Sequence, residues 1–378
     1  MGMKTLRVAI IVGTRPEVIK MSPVYLKMKS NPAIETVLIT TAQHRQMLDH
    51  ALASFQIKPD FDLNIMQPDQ TLTDLAAGII TNVQIALSKI KPDVVLVHGD
   101  TSTCLYSALA AFYESIPVGH VEAGLRTYNN NAPWPEEINR RLTDPICEWC
   151  FAPTKSAAAN LIAESVPVSK IHITGNTGVD ALLLAKETME NRHIFIKGLD
   201  QHALIDKRTI LVTGHRRESF GKEFENLCFA LRNIVDTHKS TAIVYPVHLN
   251  PNIQKPVKKI LGNQSRIFLI EPVNYLQFIY LMNKCEIIIT DSGGVQEEAP
   301  SLHKPVLITR QITERPEAVE ECLAKLVGTS SDNILPVVSK LLSDTKFYDS
   351  MTHGPNPYGD GKASERIIDI LLSSITSC

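Results

Sequence analysis

Short runs of β-branched and aliphatic residues recur along this chain with helix-periodic stretches between them, and no other feature restricts the fold as much. The series opens with Leu6–Val12 (LRVAIIV) and continues at 36–40, 94–97, 117–121, 170–173, 209–212, 242–245, 267–269, 287–290 and 306–309. Strand and helix signals in alternation are the signature of parallel sheets built from right-handed βαβ units. The runs fall into two sets, separated by the helical stretch 177–192 and the polar segment 197–207. The fold class expected is therefore α/β, with two Rossmann-like parallel-sheet domains: a first at 1–176 and a second at 177–362. The turn-rich HGPNPYGDG precedes one more amphipathic helix, 363–378, long enough to pack back on the first domain. Two such domains side by side would present the carboxyl ends of both strand sets to a shared cleft, so the chemistry is expected just after strands.

Composition narrows the partners. The 378 residues are 44% apolar and 21% charged, which excludes a disordered or collagen-like chain and suits about two domains. Thirty-eight basic against 40 acidic side chains give a formal charge of -2, no footprint for nucleic acid or an anionic membrane surface. No apolar run approaches the roughly 18 residues needed to span a bilayer, and MGMKTLRVAIIVG leads directly into a strand without a cleavage pattern. A soluble, cytoplasmic protein is expected. Seven cysteines, an odd number, are scattered in a way that suits a reducing compartment. Cys147 and Cys150 form a lone Cys-x-x-Cys with neither a second ligand pair nor a thioredoxin-like context, and read as buried small hydrophobes.

Several segments carry candidate chemistry. Gly13-Thr14-Arg15-Pro16-Glu17 follows the first strand; proline at a first helical position and an arginine at the helix mouth suit an anionic ligand, with Lys20 one turn on. An ordinary strand-to-helix turn with a solvated arginine explains the same residues equally well. Ser292-Gly293-Gly294 stands between a hydrophobic strand and a helix start, where bare backbone amides can cradle a phosphate. Glu298, four residues after Gly294, shares its helical face and suits a ribose diol; a Gly-Gly turn without a ligand is the competing account. Phe278 is a candidate base-stacking ring or simply core. Asp100 in HGDTST, Glu122 in HVEAGLRT and Glu136 in PWPEEINRR stand at strand or loop ends. Such carboxylates cap helices or pair with Arg126, Arg140 and Arg141, or else, aimed at one site, supply an acid and a base. His215 in TGHRRES either touches a diphosphate or moves a proton. No G-x-G-x-x-G or Walker motif and no metal-site spacing is found, so neither a nicotinamide oxidation, an ATP-driven step, a metal nor another cofactor is expected.

Taken together, GTRPEVIKMSP, TAQHRQML, HGDTST, HVEAGLRT, PWPEEINRRLTD, TGNTGVDAL, TGHRRESFG, TDSGGVQEEAP and TERPEAVE resemble the non-hydrolysing UDP-N-acetylglucosamine 2-epimerases, from Arg15 to about Arg366. The resemblance implies a fold like the B-type glycosyltransferases, a homodimer, and interconversion of UDP-N-acetylglucosamine with UDP-N-acetylmannosamine for surface polysaccharides. It assigns Arg15, Lys20, His215, Phe278, Ser292, Gly293, Gly294, Glu298 and Arg315 to UDP or its diphosphate. It assigns Asp100, Glu122 and Glu136 to catalysis, with His215 counted there too. Gln43, His44 and Gln46 fall in the block that forms a second, activating UDP-N-acetylglucosamine site. The family's usual Gly-Thr pair after RPEAVE is replaced by Cys322-Leu323, which puts the local turn in doubt. The competing readings are a hydrolysing epimerase releasing free N-acetylmannosamine, against which Pro16 and Gln43-His44-Arg45 argue, a B-type glycosyltransferase, and a nucleotide-sugar-binding protein without turnover.

Overall fold

The computed structural model describes residues 5–43, 45–67, 69–189, 194–214, 221–313 and 315–376. The chain divides into two compact units, Met1–Leu184 with Tyr358–Cys378, and Ala185–Pro357. Among the described residues no helix is long and apolar enough to cross a membrane.

The first unit is built on a seven-stranded sheet of β1 (Leu6–Val12), β2 (Ile34–Thr40), β3 (Phe61–Asp62), β4 (Val94–His98), β5 (Val118–Val121), β6 (Trp149–Ala152) and β7 (Ile171–Ile173). Its order is β3-β2-β1-β4-β5-β6-β7 and every pairing is parallel. The second unit repeats the plan with β8 (Arg208–Thr213), β9 (Thr241–Pro246), β10 (Ile267–Ile270), β11 (Ile287–Thr290), β12 (Val306–Ile308) and β13 (Ala324–Leu326), in the order β10-β9-β8-β11-β12-β13. These are two Rossmann-like parallel-sheet domains of the kind found in B-type glycosyltransferases. In each sheet the winding reverses beside the unit's first strand, between β1 and β4 and between β8 and β11. Loops leaving the carboxyl ends of neighbouring strands part at such a point and leave room for a ligand.

Burial explains why the strands read clearly. Val8, Ala9, Ile10 and Ile11 of β1 are fully buried because helices cover both sheet faces, and each large aliphatic side chain contributes roughly 1.5–3 kcal/mol. Ile210, Val212, Ile243, Ile287, Ile289 and Leu307 form the equivalent core of the second unit. Three strands give no such signal. Trp149–Ala152 (WCFA) has no β-branched residue, Phe61–Asp62 is a two-residue exposed edge, and Ala324–Leu326 is a short edge that alternates a buried Ala with an exposed Lys. Trp149–Ala152 pairs on both sides, so Cys150 is an interior strand residue. Cys147 and Cys150 are buried, and their thiols donate to the carbonyls of Thr143 and Asp144 at 3.2 and 3.7 Å.

The closing helix, Ala363–Thr376, belongs to the first unit. Asp180, on helix Thr177–Met189, accepts from the backbone N–H groups of Ala363 and Ser364 at 3.2 and 2.8 Å, satisfying orphan donors of the helix start. Lys27 pairs with Glu365 at 2.6 Å, and Trp149 Nε1 donates to Ser374 Oγ at 3.2 Å. At the altered turn, Cys322 takes φ 59°, the left-handed region that suits glycine, and its side chain is exposed. A side chain is carried in that conformation at a strain of about 1 kcal/mol.

Candidate active site

In the first unit the candidate residues stand on loops that leave β1, β4 and β5. Helix Arg15–Lys29 begins with Arg15-Pro16, and Glu17 is wholly buried beneath the turn. One Glu17 oxygen accepts from the N–H groups of Gly13 and Thr14 at 2.9 and 2.7 Å; the other accepts from Thr101 Oγ1 at 2.6 Å. A single carboxyl thus fixes the Arg15 turn to the loop that carries Asp100. Burial raises its pKa to about 7, against the opposing pull of the hydrogen bonds from Thr101, Gly13 and Thr14.

Asp100 follows the end of β4. Its carboxylate accepts from Arg140 Nη1 at 3.2 Å, and its carbonyl accepts from Asn139 Nδ2 at 2.8 Å. Both donors lie on helix Glu136–Thr143, which starts with the half-buried Glu136. Its neighbour Glu137 is fully buried and takes a scaffold role, accepting from the N–H groups of Thr127 and Tyr128 and from Arg140. Asp100 and the start of this helix are therefore drawn together through Arg140.

Glu122 stands just past β5 with φ 71°, a conformation rare for a glutamate and held by its surroundings. Its N–H and that of Ala123 both donate to the Phe151 carbonyl, at 3.1 and 3.2 Å. The carboxylate pairs with Lys20 and accepts from Asn176 Nδ2 at 3.0 Å. It also lies beside the loop that carries Asp100: a β-carbon placed on Gly99 would sit 4.0 Å from Glu122 Oε1. His98 Nε2 is 3.8 Å away, and neither nitrogen of this buried ring has a hydrogen bond among the described residues. Burial drives the His98 pKa down to about 3, with Glu122 opposing and Lys20 assisting, so the ring is neutral. Beneath, His120 lies 2.6 Å from Asp144 Oδ1 through Nδ1 and 2.7 Å from the Gly99 carbonyl through Nε2. Both partners are acceptors, so both nitrogens carry protons. Burial opposes that charge, but the Cys104 sulfur and the Asp144 carboxylate override it and raise the pKa well above the ordinary value. Arg126 closes the network on Asp144 and Glu164, at 2.6 and 2.8 Å. Breaking one member of such a buried set leaves an uncompensated charge, so the floor under Gly99 and Glu122 is stiff.

Gln43 accepts from Thr103 Oγ1 at 3.0 Å, and Thr103 in turn bonds Thr41 at 2.8 Å. Gln43 therefore sits against the loops after β2 and β4, beside the start of helix Ser102–Tyr113. Gln46 is exposed on the first turn of helix Arg45–Ser54, and His44 lies outside the described residues.

In the second unit, β11 leads through Asp291-Ser292 into the short helix Gly293–Glu298. Arg315 lies over its mouth: a β-carbon on Gly293 would stand 2.5 Å from Arg315 Nη1, whereas one on Gly294 meets nothing within 4 Å. A side chain at 293 would displace the guanidinium from where it lies, and Gly294 faces open space. Glu297, 2% exposed, holds Arg315 Nε at 2.5 Å. Glu298 accepts from Tyr275 OH at 3.0 Å, and the half-buried Phe278 lies one turn along the Tyr275–Lys284 helix. An arginine, a pair of bare glycines and a helix start make a place for a phosphorylated ligand. His215, after β8, lies outside the described residues.

Sequence reasoning missed Glu17, His98 and Asn176 as parts of this arrangement, whereas the pairing of one of the three carboxylates with Arg140 was among its expectations. Each lay inside a quoted motif, but what each touches is set by strand order, which no motif prints.

Two Rossmann-like sheets, each carrying polar side chains at the carboxyl ends of its central strands, define a two-domain, doubly wound α/β protein. Comparison with known proteins narrows this. A family model described as UDP-N-acetylglucosamine 2-epimerase matches residues 26–372. The UDP-N-acetylglucosamine 2-epimerase of Escherichia coli K12 is 51% identical over 372 residues, spanning 98% of this chain and 99% of its own. The crystal structure of UDP-GlcNAc 2-epimerase from Neisseria meningitidis bound to UDP-GlcNAc superposes with a TM-score of 0.87 at 45% identity, over 97% of this chain and 100% of that one. The Methanocaldococcus jannaschii enzyme in complex with UDP-GlcNAc and UDP gives 0.79 at 36%, with the same coverage. The chain belongs to the UDP-N-acetylglucosamine 2-epimerase family.

Proposed function

We propose that the protein interconverts UDP-N-acetylglucosamine and UDP-N-acetylmannosamine without hydrolysis. Carbon 2 of the sugar is not next to a carbonyl, so its hydrogen is too weakly acidic for simple removal and return. Elimination solves the problem: a carboxylate takes the proton from carbon 2 while the bond from the anomeric carbon to UDP breaks, leaving 2-acetamidoglucal and UDP. UDP then adds back as a proton arrives on the opposite face, so atoms and charge balance and no other reagent is needed. In this reading Asp100, Glu122, Glu136 and His215 handle protons. Arg15, Lys20, Phe278, Ser292, Gly293, Gly294, Glu298 and Arg315 hold UDP and stabilise the departing diphosphate.

The observation that supports the reading most is that Asp100 and Glu122 follow the carboxyl ends of two neighbouring strands of one sheet, each held by a different cation, Arg140 and Lys20. Two carboxylates in unlike settings suit opposite roles as acid and base. Gln43, His44 and Gln46 are assigned to an activating UDP-N-acetylglucosamine site, and a cytoplasmic homodimer that feeds surface polysaccharide synthesis completes the proposal.

Turnover in heavy water followed by proton NMR tests it. The product should be UDP-N-acetylmannosamine carrying deuterium at carbon 2. Unlabelled product would reject elimination, and free N-acetylmannosamine with stoichiometric UDP would establish the hydrolysing reaction instead.

A further inference from the structure

Among the described residues Glu122 is held by Lys20 and Asn176, and the two suit the UDP diphosphate differently. Lys20 is a cation and a natural ligand for phosphate; the other partner, Asn176, is neutral. Asn176 Nδ2 donates to Glu122 Oε2 at 3.0 Å, while its Oδ1 accepts from Gly178 N at 2.8 Å at the start of helix Thr177–Met189. The side chain is 3% exposed, so both ends of the amide are committed inside the protein. Its own N–H donates to the Tyr358 carbonyl at 2.7 Å. Tyr358 is 3% exposed and begins the segment by which the chain returns to the first unit before its closing helix. The return segment packs closely here: a β-carbon on Gly359 would lie 3.3 Å from Asn176 N, and one on Gly175 would lie 3.4 Å from Gly359 Cα.

We infer that Asn176 is the positioning residue for Glu122, and that through it the returning segment Tyr358-Gly359 sets where this carboxylate points. The inference rests on the proposed reaction for its catalytic meaning. A glutamate at φ 71° paired with a long lysine side chain gains a fixed direction from a buried asparagine held at both ends of its amide and by its backbone N–H. The groups that face Glu122 are Lys20 from helix Arg15–Lys29, the neutral His98 from the end of β4, Asn176, and the neighbouring loop of Asp100. Of these, Asn176 alone is tied by its backbone to the return segment.

Asn176→Asp tests this without removing the helix cap, because aspartate accepts from Gly178 N as asparagine does. Its second oxygen would face Glu122 where a donor now stands, and two carboxylates about 3 Å apart cannot both ionise easily. Two readouts are used: the carboxyl 13C titration of Glu122, assigned by its loss in Glu122→Gln, and the pH profile of kcat for epimerisation. The expected result is a Glu122 titration moved upward by at least about one pH unit, with the acid limb of kcat moved alike and kcat at neutral pH lowered roughly 10-fold or more while KM changes little. Asn176→Ser, which keeps a capping oxygen but is too short to reach Glu122, should lower kcat with a smaller upward shift than the aspartate variant, since it removes a donor without adding a charge, and it serves if the aspartate variant does not fold. A Glu122 titration unchanged in Asn176→Asp, or wild-type kcat in Asn176→Ser, would overturn the inference. Wild-type protein that fails to epimerise would count against the proposed function alone, since the NMR titration decides the role of Asn176 without turnover.

Discussion

Replacing Glu17 by glutamine should change how the first unit's stability depends on pH, and the size follows from its setting. In the unfolded chain this carboxyl titrates near 4.5; in the folded protein burial raises the value to about 7, although Thr101, Gly13 and Thr14 all donate to it. Between those two values the folded protein binds a proton that the unfolded chain has released. Stability therefore falls as pH rises through this window, and the loss is complete above the folded pKa. At about 1.4 kcal/mol per pH unit the full cost is about 3 kcal/mol, of which roughly 1 kcal/mol is already present at pH 5. Glutamine has no proton to lose. Its oxygen can keep the Gly13 and Thr14 N–H groups, and its amide can donate to Thr101 Oγ1. The variant's stability relative to wild type should accordingly rise by roughly 2 kcal/mol from pH 5 to pH 8. Urea unfolding followed by tryptophan fluorescence reads the right unit, because both tryptophans, Trp134 and Trp149, lie in it. A difference constant to within about 0.5 kcal/mol over that range would show that the three hydrogen bonds hold Glu17 ionised, and would refute the reasoning.

Two further outcomes are expected. Asp100→Asn, Glu122→Gln and Glu136→Gln should each keep the fold and UDP affinity while lowering turnover roughly 100-fold or more, the usual scale for losing an acid or base; near-normal rates in all three, measured by coupled assay or NMR, would remove them from the chemistry. Gly293→Ala should force Arg315 off the helix mouth, since the new methyl would lie 2.5 Å from Nη1, and weaken UDP binding by calorimetry roughly 10-fold or more; unchanged affinity would mean that the guanidinium does not serve the diphosphate.

The sheets were legible wherever burial on both faces demands β-branched residues, as in β1 and β11. They were not legible where a strand is an edge or is filled by Trp, Cys and Phe, because Trp149–Ala152 earns its place from neighbours on either side and not from its own propensity. Loop placement was legible for the same reason as the strands: Arg15, Asp100, Glu122 and Ser292 each follow an apolar run. Which partner each carboxylate takes was not legible, although Arg140 stood among the candidates. Arg140 meets Asp100 across 40 residues and Asn176 meets Glu122 across 54, and only the side-by-side order β1-β4-β5-β6-β7 brings them together. Glu17 looked like part of a helix mouth, and its use as a buried brace between two loops depends on β1 and β4 being neighbours. The Cys322 turn reads as a departure in sequence, yet the backbone keeps its left-handed conformation because the side chain points to solvent.

The Lys20–Glu122 pair bears on how two bonds come to break together in the proposed elimination. Both side chains are nearly buried, 13% and 11% exposed, so their attraction is only weakly screened. A carboxylate held against an ammonium is a poor base, because the cation stabilises its ionised form. As the anomeric bond to UDP lengthens, however, the diphosphate gains negative charge and competes for the same ammonium. Each increment of charge on the leaving group then draws Lys20 away from Glu122 and raises the proton affinity of the carboxylate just when carbon 2 must lose its proton. Asn176, being neutral, cannot follow the diphosphate and keeps Glu122 aimed while its cation is withdrawn. On the inverting re-addition a second acid on the opposite face, the role proposed for Asp100 or Glu136, gives carbon 2 its proton; UDP gives up charge as the bond forms, Lys20 returns to Glu122, and the proton Glu122 took passes to solvent. One shared cation thereby links carbon–oxygen cleavage to proton removal by Glu122, and the second acid completes the inversion.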